Sequence, residues 1–124
     1  MSYAKGYAAE RELTHELYSR GYAVLRAPHS GSISIASPDI VAIKNGKVFV
    51  IECKSHKKAF TVDMSQLQEL QEWEKRAGAI AYVAWKISHK GWHFLKLNDV
   101  IENRGNVGFR FLDGRAMKID DVLA

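Results

Sequence analysis

The first segment of the chain has apolar residues at the spacing of an α-helix. Over residues 4–20, the positions at three- and four-residue spacing form one stripe, which consists of Gly6, Glu10, Leu13 and Leu17. This period predicts an amphipathic helix that ends at Gly21. Because Glu10 shares the stripe with leucines, we expect it to face the body of the protein. A carboxylate in that place needs a metal or a basic partner such as Arg26.

Shorter apolar runs after this helix predict strands. The predicted strands of this region span residues 22–27, 40–43 and 47–54. Residues 28–37 are small and polar, which predicts a flexible loop. Asn45-Gly46 is a strong hairpin signal between the second and third strands. The chain therefore returns on itself at this point.

The second half of the chain adds one helix and two strands. Asp63 and Gln66 have the spacing of a capping box, which predicts a helix through about residue 76 that Gly78 closes. Apolar runs predict strands at residues 79–87 and 92–97, and Asn98 and Asp99 can cap a short helical turn. Residues 104–124 carry weak signals without a clear order. The element order predicts an α/β fold in which a central mixed sheet is flanked by helices, as one domain over residues 1–124.

Composition and charge narrow the class of protein. The chain has 124 residues, of which 47% are hydrophobic, and no apolar run approaches the roughly 20 residues of a membrane helix. Cys53 is the only cysteine, so we expect a reducing, cytoplasmic location and no intrachain disulfide. The net charge of +4 arises entirely in residues 1–58, which hold nine Lys/Arg against five Asp/Glu. A basic field of this kind suits a polyanionic partner, so we expect neither a membrane nor a small-molecule substrate.

The same half of the chain carries the candidate chemistry. Glu52 and Lys54 share one face of the third predicted strand, because side chains alternate. A two-residue turn at Asn45-Gly46 pairs Lys44 with Lys47 and sets Asp39 opposite Glu52. Adjacent carboxylates repel unless a cation bridges them, and their hard oxygens suit Mg²⁺ or Mn²⁺. Taken singly, the glutamate and lysine would more often be a solvated pair, and Pro38-Asp39 a strand start.

Several motifs in one order resemble the archaeal Holliday junction resolvases of the restriction-endonuclease-like superfamily. They are Lys5-Gly6 with Glu10-Arg11-Glu12-Leu13, Arg26-Ala27-Pro28 with Ser30-Gly31-Ser32, Pro38-Asp39-Ile40-Val41-Ala42, Glu52-Cys53-Lys54-Ser55, and Gln66. The resemblance implies a restriction-endonuclease-like fold and a homodimer with two active sites. It also implies Mg²⁺-dependent nicking of two opposed strands of a four-way DNA junction, in homologous recombination and repair, with Mn²⁺ as a substitute.

The resemblance also implies roles for individual residues. It makes Glu10, Asp39 and Glu52 the metal-binding acids, Lys54 the catalytic lysine, and Ser32, with Ser30 as the alternative, a loop serine that contributes to catalysis. Gln66 would lie beside the site. The residues expected to contact DNA are Lys5, Arg11, Arg26, Ser30 and Gln66, together with Lys57 and Lys58, which follow the motif strand.

Two other functions stay open on the sequence. One is a different nuclease of the same superfamily, which would be restriction-like, a repair enzyme or an RNA-processing enzyme. The other is a catalytically silent nucleic-acid-binding module, although a pure binder gains nothing from carboxylates clustered near phosphate. The large aromatic residues exceed what one small core hides, so we expect some at a subunit contact; they are Trp73, Trp85, Phe94, Phe109 and Phe111.

Overall fold

The fold is built around a central sheet of five strands in a computed structural model. The structure describes residues 2–27 and 35–124. Within the first helix it describes side chains from residue 7 onward. The strands are β1 (Ala23–Arg26), β2 (Ile40–Lys44), β3 (Lys47–Ser55), β4 (Phe60–Thr61), β5 (Ile80–Ile87), β6 (Gly91–Lys96) and β7 (Asn106–Val107). The helices are α1 (Ser2–Ser19), α2 (Met64–Ala77), α3 (Leu97–Glu102), α4 (Phe109–Leu112) and α5 (Ile119–Val122). The central sheet has the order β1-β2-β3-β5-β6, and β4 pairs with β7 in a separate ribbon.

The central sheet is mixed, as the sequence predicts. Strands β3 and β5 are parallel, whereas the other neighbours in the sheet are antiparallel. A parallel pair needs a long crossover connection, and α2 lies in that connection. The structure therefore confirms a single α/β domain with a mixed sheet flanked by helices.

Two apolar clusters cover the two faces of this sheet. Leu13 and Leu17 of α1 belong to a buried cluster with Ile51 of β3. Leu67 of α2 belongs to the other cluster, which includes Val50. Neighbouring residues of β3 thus point to opposite helices, because side chains alternate along a strand.

The hairpin between β2 and β3 forms in the predicted register. Asn45 has φ 53° and Gly46 has φ 80°, and two positive φ values in succession are typical of the type I′ turn that fits antiparallel strands. Lys44 pairs with Lys47, and at the far end of the ladder Ile40 pairs with Ile51. One further step along both strands brings Asp39 to Glu52.

Helix α1 confirms the predicted stripe, and α2 begins directly after its predicted N-cap residue, Asp63. The predicted capping box is wrong, since Asp63 makes no side-chain capping bond and the Gln66 side chain bonds to the sheet instead. The predicted cap of α3 is also wrong. Lys96 stands at the N-cap of α3, so Asn98 and Asp99 lie inside its first turn. The predicted end of α2 is correct, since Gly78 takes φ 64° there.

The last 20 residues of the chain form short elements that the sequence did not order. Strand β7 and helices α4 and α5 each have two to four residues, too few to show a period. Leu123 is fully buried and joins the cluster on the α1 face. Within the described part of the chain, no helix is long and apolar enough to cross a membrane.

The large aromatic residues divide between core and surface. Trp85 and Phe94 are fully buried within the chain, so neither is among the aromatic residues that could supply a subunit contact. They fill opposite faces of the sheet, where small neighbours such as Ala81 and Ala84 leave room for large rings. Phe109 is 47% exposed and stays available to a partner.

Candidate active site

One residue of α2 links the acid and the lysine of β3. Lys54 Nζ donates to Gln66 Oε1 at 2.9 Å, and Gln66 Nε2 donates to Glu52 Oε2 at 3.1 Å. Lys54 Nζ also lies 3.5 Å from Glu52 Oε2. Glu52 and Lys54 lie on the face that α2 covers, as alternation along β3 predicts. The carboxamide of Gln66 therefore fixes the spacing of the two charged groups.

Asp39 joins this pair from the start of β2. Its Oδ2 atom accepts a hydrogen bond from the backbone N–H of Cys53 at 2.8 Å. Its own carbonyl oxygen accepts from the backbone N–H of Ala27 at 3.0 Å. The Asp39 carboxylate is thus held against the backbone of β3 and interacts with Glu52. The predicted adjacency of the two carboxylates is present in the structure.

Burial and repulsion change the chemistry of Glu52. Only 6% of this residue is exposed, and burial is the main reason why the pKa of its carboxyl group is raised. The negative charge of Asp39 and a hydrogen bond with it also raise this pKa, Lys54 lowers it, and the combined result is a pKa of about 8. At neutral pH Glu52 therefore tends to keep a proton beside the Asp39 carboxylate. A divalent cation would let both groups ionise, so these two residues fit a hard metal ion.

Glu10 reaches the region from α1. Its Oε1 atom lies 3.5 Å from an Arg26 guanidinium nitrogen, so Arg26 is the basic partner that the sequence offered as an alternative. Burial raises the pKa of the Cys53 thiol, and the charges of Asp39, Glu10 and Glu52 add to this effect. Glu10 thus lies near Cys53, whose side chain packs toward α1. In the described residues, no three or more His, Cys, Asp or Glu side chains form one metal-ligand cluster. A metal role for Glu10 stays a prediction.

The remaining predicted residues are spread around this centre. Arg11 is exposed on α1, and Lys57 and Lys58 are exposed directly beyond the end of β3. Ser30 and Ser32 lie outside the described residues, as does the side chain of Lys5, so their predicted roles are not tested.

Two tryptophans position the site without a signal in the sequence. Trp73 Nε1 of α2 donates to the carbonyl oxygen of Ala36 at 3.1 Å, which ties the segment before Asp39 to that helix. Trp85 Nε1 donates to the carbonyl oxygen of His56 at 2.9 Å, which anchors the chain just past Lys54. Both acceptors are distant backbone carbonyls, which no motif marks in advance.

Comparison with known proteins gives a consistent result. A family model described as "Archaeal holliday junction resolvase (hjc)" matches residues 1–124. The "Crossover junction endodeoxyribonuclease Hjc" of Sulfurisphaera tokodaii is 32% identical over 105 residues, which cover 82% of this chain and 72% of that relative. The protein of the same name from Archaeoglobus fulgidus is 37% identical over 93 residues, which cover 73% of this chain and 68% of the relative.

A solved structure agrees with the sequence relatives. It is the 1.6 Å structure of Archaeoglobus fulgidus Hjc, described as a Holliday junction resolvase from an archaeal hyperthermophile. The TM-score is 0.86 at 26% sequence identity, and the match covers 96% of this chain and 100% of the other. The fold is therefore the restriction-endonuclease-like fold of that protein.

Proposed function

Because this chain belongs to the archaeal Holliday junction resolvase family, we propose that it is a structure-specific endonuclease. It would resolve four-way DNA junctions by paired nicking of two opposed strands, in homologous recombination and repair. The observation that carries the chemistry is the arrangement of Asp39, Glu52 and Lys54, which α2 and the hairpin hold at one end of β3. A silent binding module would have no use for a buried glutamate that is repelled by a second, half-buried carboxylate at this place.

A metal completes the proposed site. Asp39 and Glu52 would hold Mg²⁺, or Mn²⁺ as a substitute, and Glu10 would act directly or through a water. When bound, a divalent cation neutralises charge on the phosphate and lowers the pKa of a water molecule. The raised pKa of Glu52 supports this proposal, because a buried carboxyl beside Asp39 gains most from a nearby positive charge.

Besides the metal ion, Lys54 supplies positive charge to the proposed site. Held by Gln66 and Glu52, its ammonium group would position the attacking water and stabilise charge that develops on the phosphate. In-line attack would leave a 5′-phosphate and a 3′-hydroxyl without a covalent enzyme intermediate. Ser32 would assist from its loop, as the family resemblance implies.

DNA would be held by basic residues on both sides of this centre. Lys57 and Lys58 lie three and four residues after Lys54 and are exposed, so they can reach the backbone beside the scissile phosphate. The other proposed DNA contacts are Lys5, Arg11, Arg26, Ser30 and Gln66. These contacts position a backbone and read no sequence, so specificity for a junction would come from its shape.

A homodimer would supply the second cutting centre. Two-fold pairing places two identical sites in a fixed orientation, which suits a substrate with its own two-fold symmetry. Leu25 of β1 is 68% exposed and Ile43 of β2 is 41% exposed. Both lie on the α2 face of the sheet, because their ladder partners Val41 and Val48 pack against the cluster on that face. We propose that this exposed part of the sheet face contributes to the subunit contact.

A nicking assay tests the proposed function. A labelled synthetic four-way junction and a linear duplex of matching sequence are incubated with protein, with Mg²⁺ or with a chelator. We expect symmetric nicks in the junction, little cutting of the duplex, and no cutting with the chelator or with Glu52→Gln. Equal cutting of both substrates would favour a general nuclease of the superfamily. Tight junction binding without cleavage under any metal would favour the silent module.

A further inference from the structure

Aromatic side chains gather beyond the end of β3, and the proposed chemistry does not use them. The His56 ring stacks on Phe60, with centroids 4.6 Å apart and planes at 20°. Phe60 meets Trp85 edge to face at 5.0 Å, and Trp85 lies 5.1 Å from Phe109 at 37°. These four rings form one continuous cluster, named here the aromatic platform.

The aromatic platform lies beside the proposed catalytic lysine. Trp85 is the ladder partner of Lys54 across the parallel pair of strands. His56 follows Lys54 by two residues, a separation of about 7 Å along an extended chain. The platform therefore begins close to the lysine that would act on the scissile phosphate.

The platform has a buried base and an exposed top. Trp85 is fully buried, while Phe109 is 47% exposed and His56 is exposed. A large ring left half in water on the four-residue helix α4 contributes less to the core than a buried one would. Its exposed area can be reached from solvent, and a flat ligand that stacks on it would displace the Lys90 ammonium group that lies over the ring.

Three lysines lie next to the exposed rings in space or in sequence. Lys90 Nζ lies 5.9 Å from the centroid of the Phe109 ring. Lys57 and Lys58 directly follow His56 and are exposed. Aromatic rings with lysines nearby are complementary to a nucleotide, whose base stacks and whose phosphate is negative. The same surface suits neither an apolar peptide nor a basic partner.

We propose that the aromatic platform is a stacking site for an unpaired nucleobase of the DNA strand next to the scissile phosphate. This inference rests on the proposed function, because it takes the cut strand to pass Lys54. A base at the branch point of a junction can leave its stack at less cost than one inside a continuous duplex. The platform would hold that base and thereby favour junctions over linear DNA.

A double-mutant cycle that combines changes in the protein with changes in the DNA tests the stacking site. Junctions carry a single abasic site at each nucleotide that flanks the cleavage position, and affinity is measured by fluorescence anisotropy in a chelator. In the wild type, one abasic position should weaken binding roughly five- to hundredfold. Phe109→Leu should weaken binding of the intact junction similarly. In that variant the same abasic site should have no further effect, since the stacking partner is already lost.

Matched variants distinguish a loss of stacking from a loss of charge and from a loss of the fold. His56→Phe should keep the abasic penalty, whereas His56→Ala should reduce it, and His56 is exposed enough to be replaced without loss of the fold. Tyr18→Leu changes an exposed ring on α1 and should behave as the wild type. If Phe109→Leu fails to fold in a thermal melt, the His56 pair carries the test alone.

The outcomes distinguish this inference from the proposed function. Additive losses from the abasic site and the variants, or no sensitive position at all, would overturn the stacking site. Wild-type nicking of the intact junction would then leave the resolvase proposal standing. Coupled losses in a protein that nicks no junction with Mg²⁺ or Mn²⁺ would support the stacking site and overturn the proposed chemistry.

Discussion

The ammonium group of Lys54 lies 2.9 Å from the side-chain oxygen of Gln66, to which it donates a hydrogen bond. The other end of the same carboxamide donates to Glu52. Helix α2 thus sets the separation of an acid and a lysine that belong to a different element. A carboxamide can do this because it presents a donor and an acceptor side by side.

Replacing Gln66 should uncouple this arrangement. Gln66→Leu removes both hydrogen bonds, and we expect kcat for junction nicking to fall roughly tenfold or more. Junction affinity should fall much less, because Gln66 is one of several proposed DNA contacts. Unfolding free energy should fall by roughly 1–3 kcal/mol, because Lys54 and Glu52 lose a partner in a poorly solvated place. Steady-state nicking, gel shift and urea denaturation measure the three quantities. Gln68→Leu, on an exposed position of the same helix, is the matched control and should change none of them.

The pKa of Glu52 predicts how stability depends on pH without metal. Its carboxyl has an ordinary pKa of 4.5 and a folded-state pKa of about 8, so the folded protein binds more protons between these values. Stability in a chelator should therefore fall as pH rises through this window, by at most about 1.4 kcal/mol per pH unit from this group. Urea denaturation at pH 5 to 9 checks the slope.

A variant and a metal titration make this prediction specific. Glu52→Gln cannot ionise, so its stability should lose most of that slope. Binding of Mg²⁺ to the wild type near pH 7 should release close to one proton, which calorimetry in buffers of different ionisation enthalpy detects. A wild type whose slope matches that of Glu52→Gln would contradict the proton assigned to this carboxyl.

The hairpin explains why this part of the site was predictable from sequence. Asn45-Gly46 demands positive φ values and a two-residue turn, which fixes the register and brings Asp39 to Glu52. The engagement of Gln66 was not predictable in the same way, because it depends on how α2 sits on the sheet. The spacing between Asp63 and Gln66 instead suggested a local capping box, but the Gln66 side chain bonds to Glu52 and Lys54 of the sheet. The short elements after residue 104 depend on contacts such as the bridge between Phe94 and Met117, which no local period reveals.

The loop serine gives a prediction that rests on the family resemblance. Ser32→Ala should reduce junction nicking roughly tenfold or more with little change in binding, because a positioned hydroxyl would be lost from the reaction centre. Ser37→Ala is the matched control, since it makes the same change near the end of the same loop. Single-turnover nicking on one junction compares them. Equal effects of the two changes would place the functional serine elsewhere in the loop.

The subunit contact gives the last prediction. The exposed apolar surface formed by Leu25 and Ile43 would be covered in a homodimer, so the wild type should sediment as a dimer at micromolar concentration. Leu25→Lys should weaken the dimer at least tenfold, because it sets a charge in a contact that excludes water. Ile43→Lys should act in the same direction, whereas Tyr18→Lys, on exposed α1, should remain dimeric. Sedimentation equilibrium measures the three variants beside the wild type.

A dissociated variant should still cut single strands of a junction but lose paired nicking, because each subunit holds one centre. A wild type that stays monomeric when it binds a junction would remove the second centre and favour a general nuclease instead.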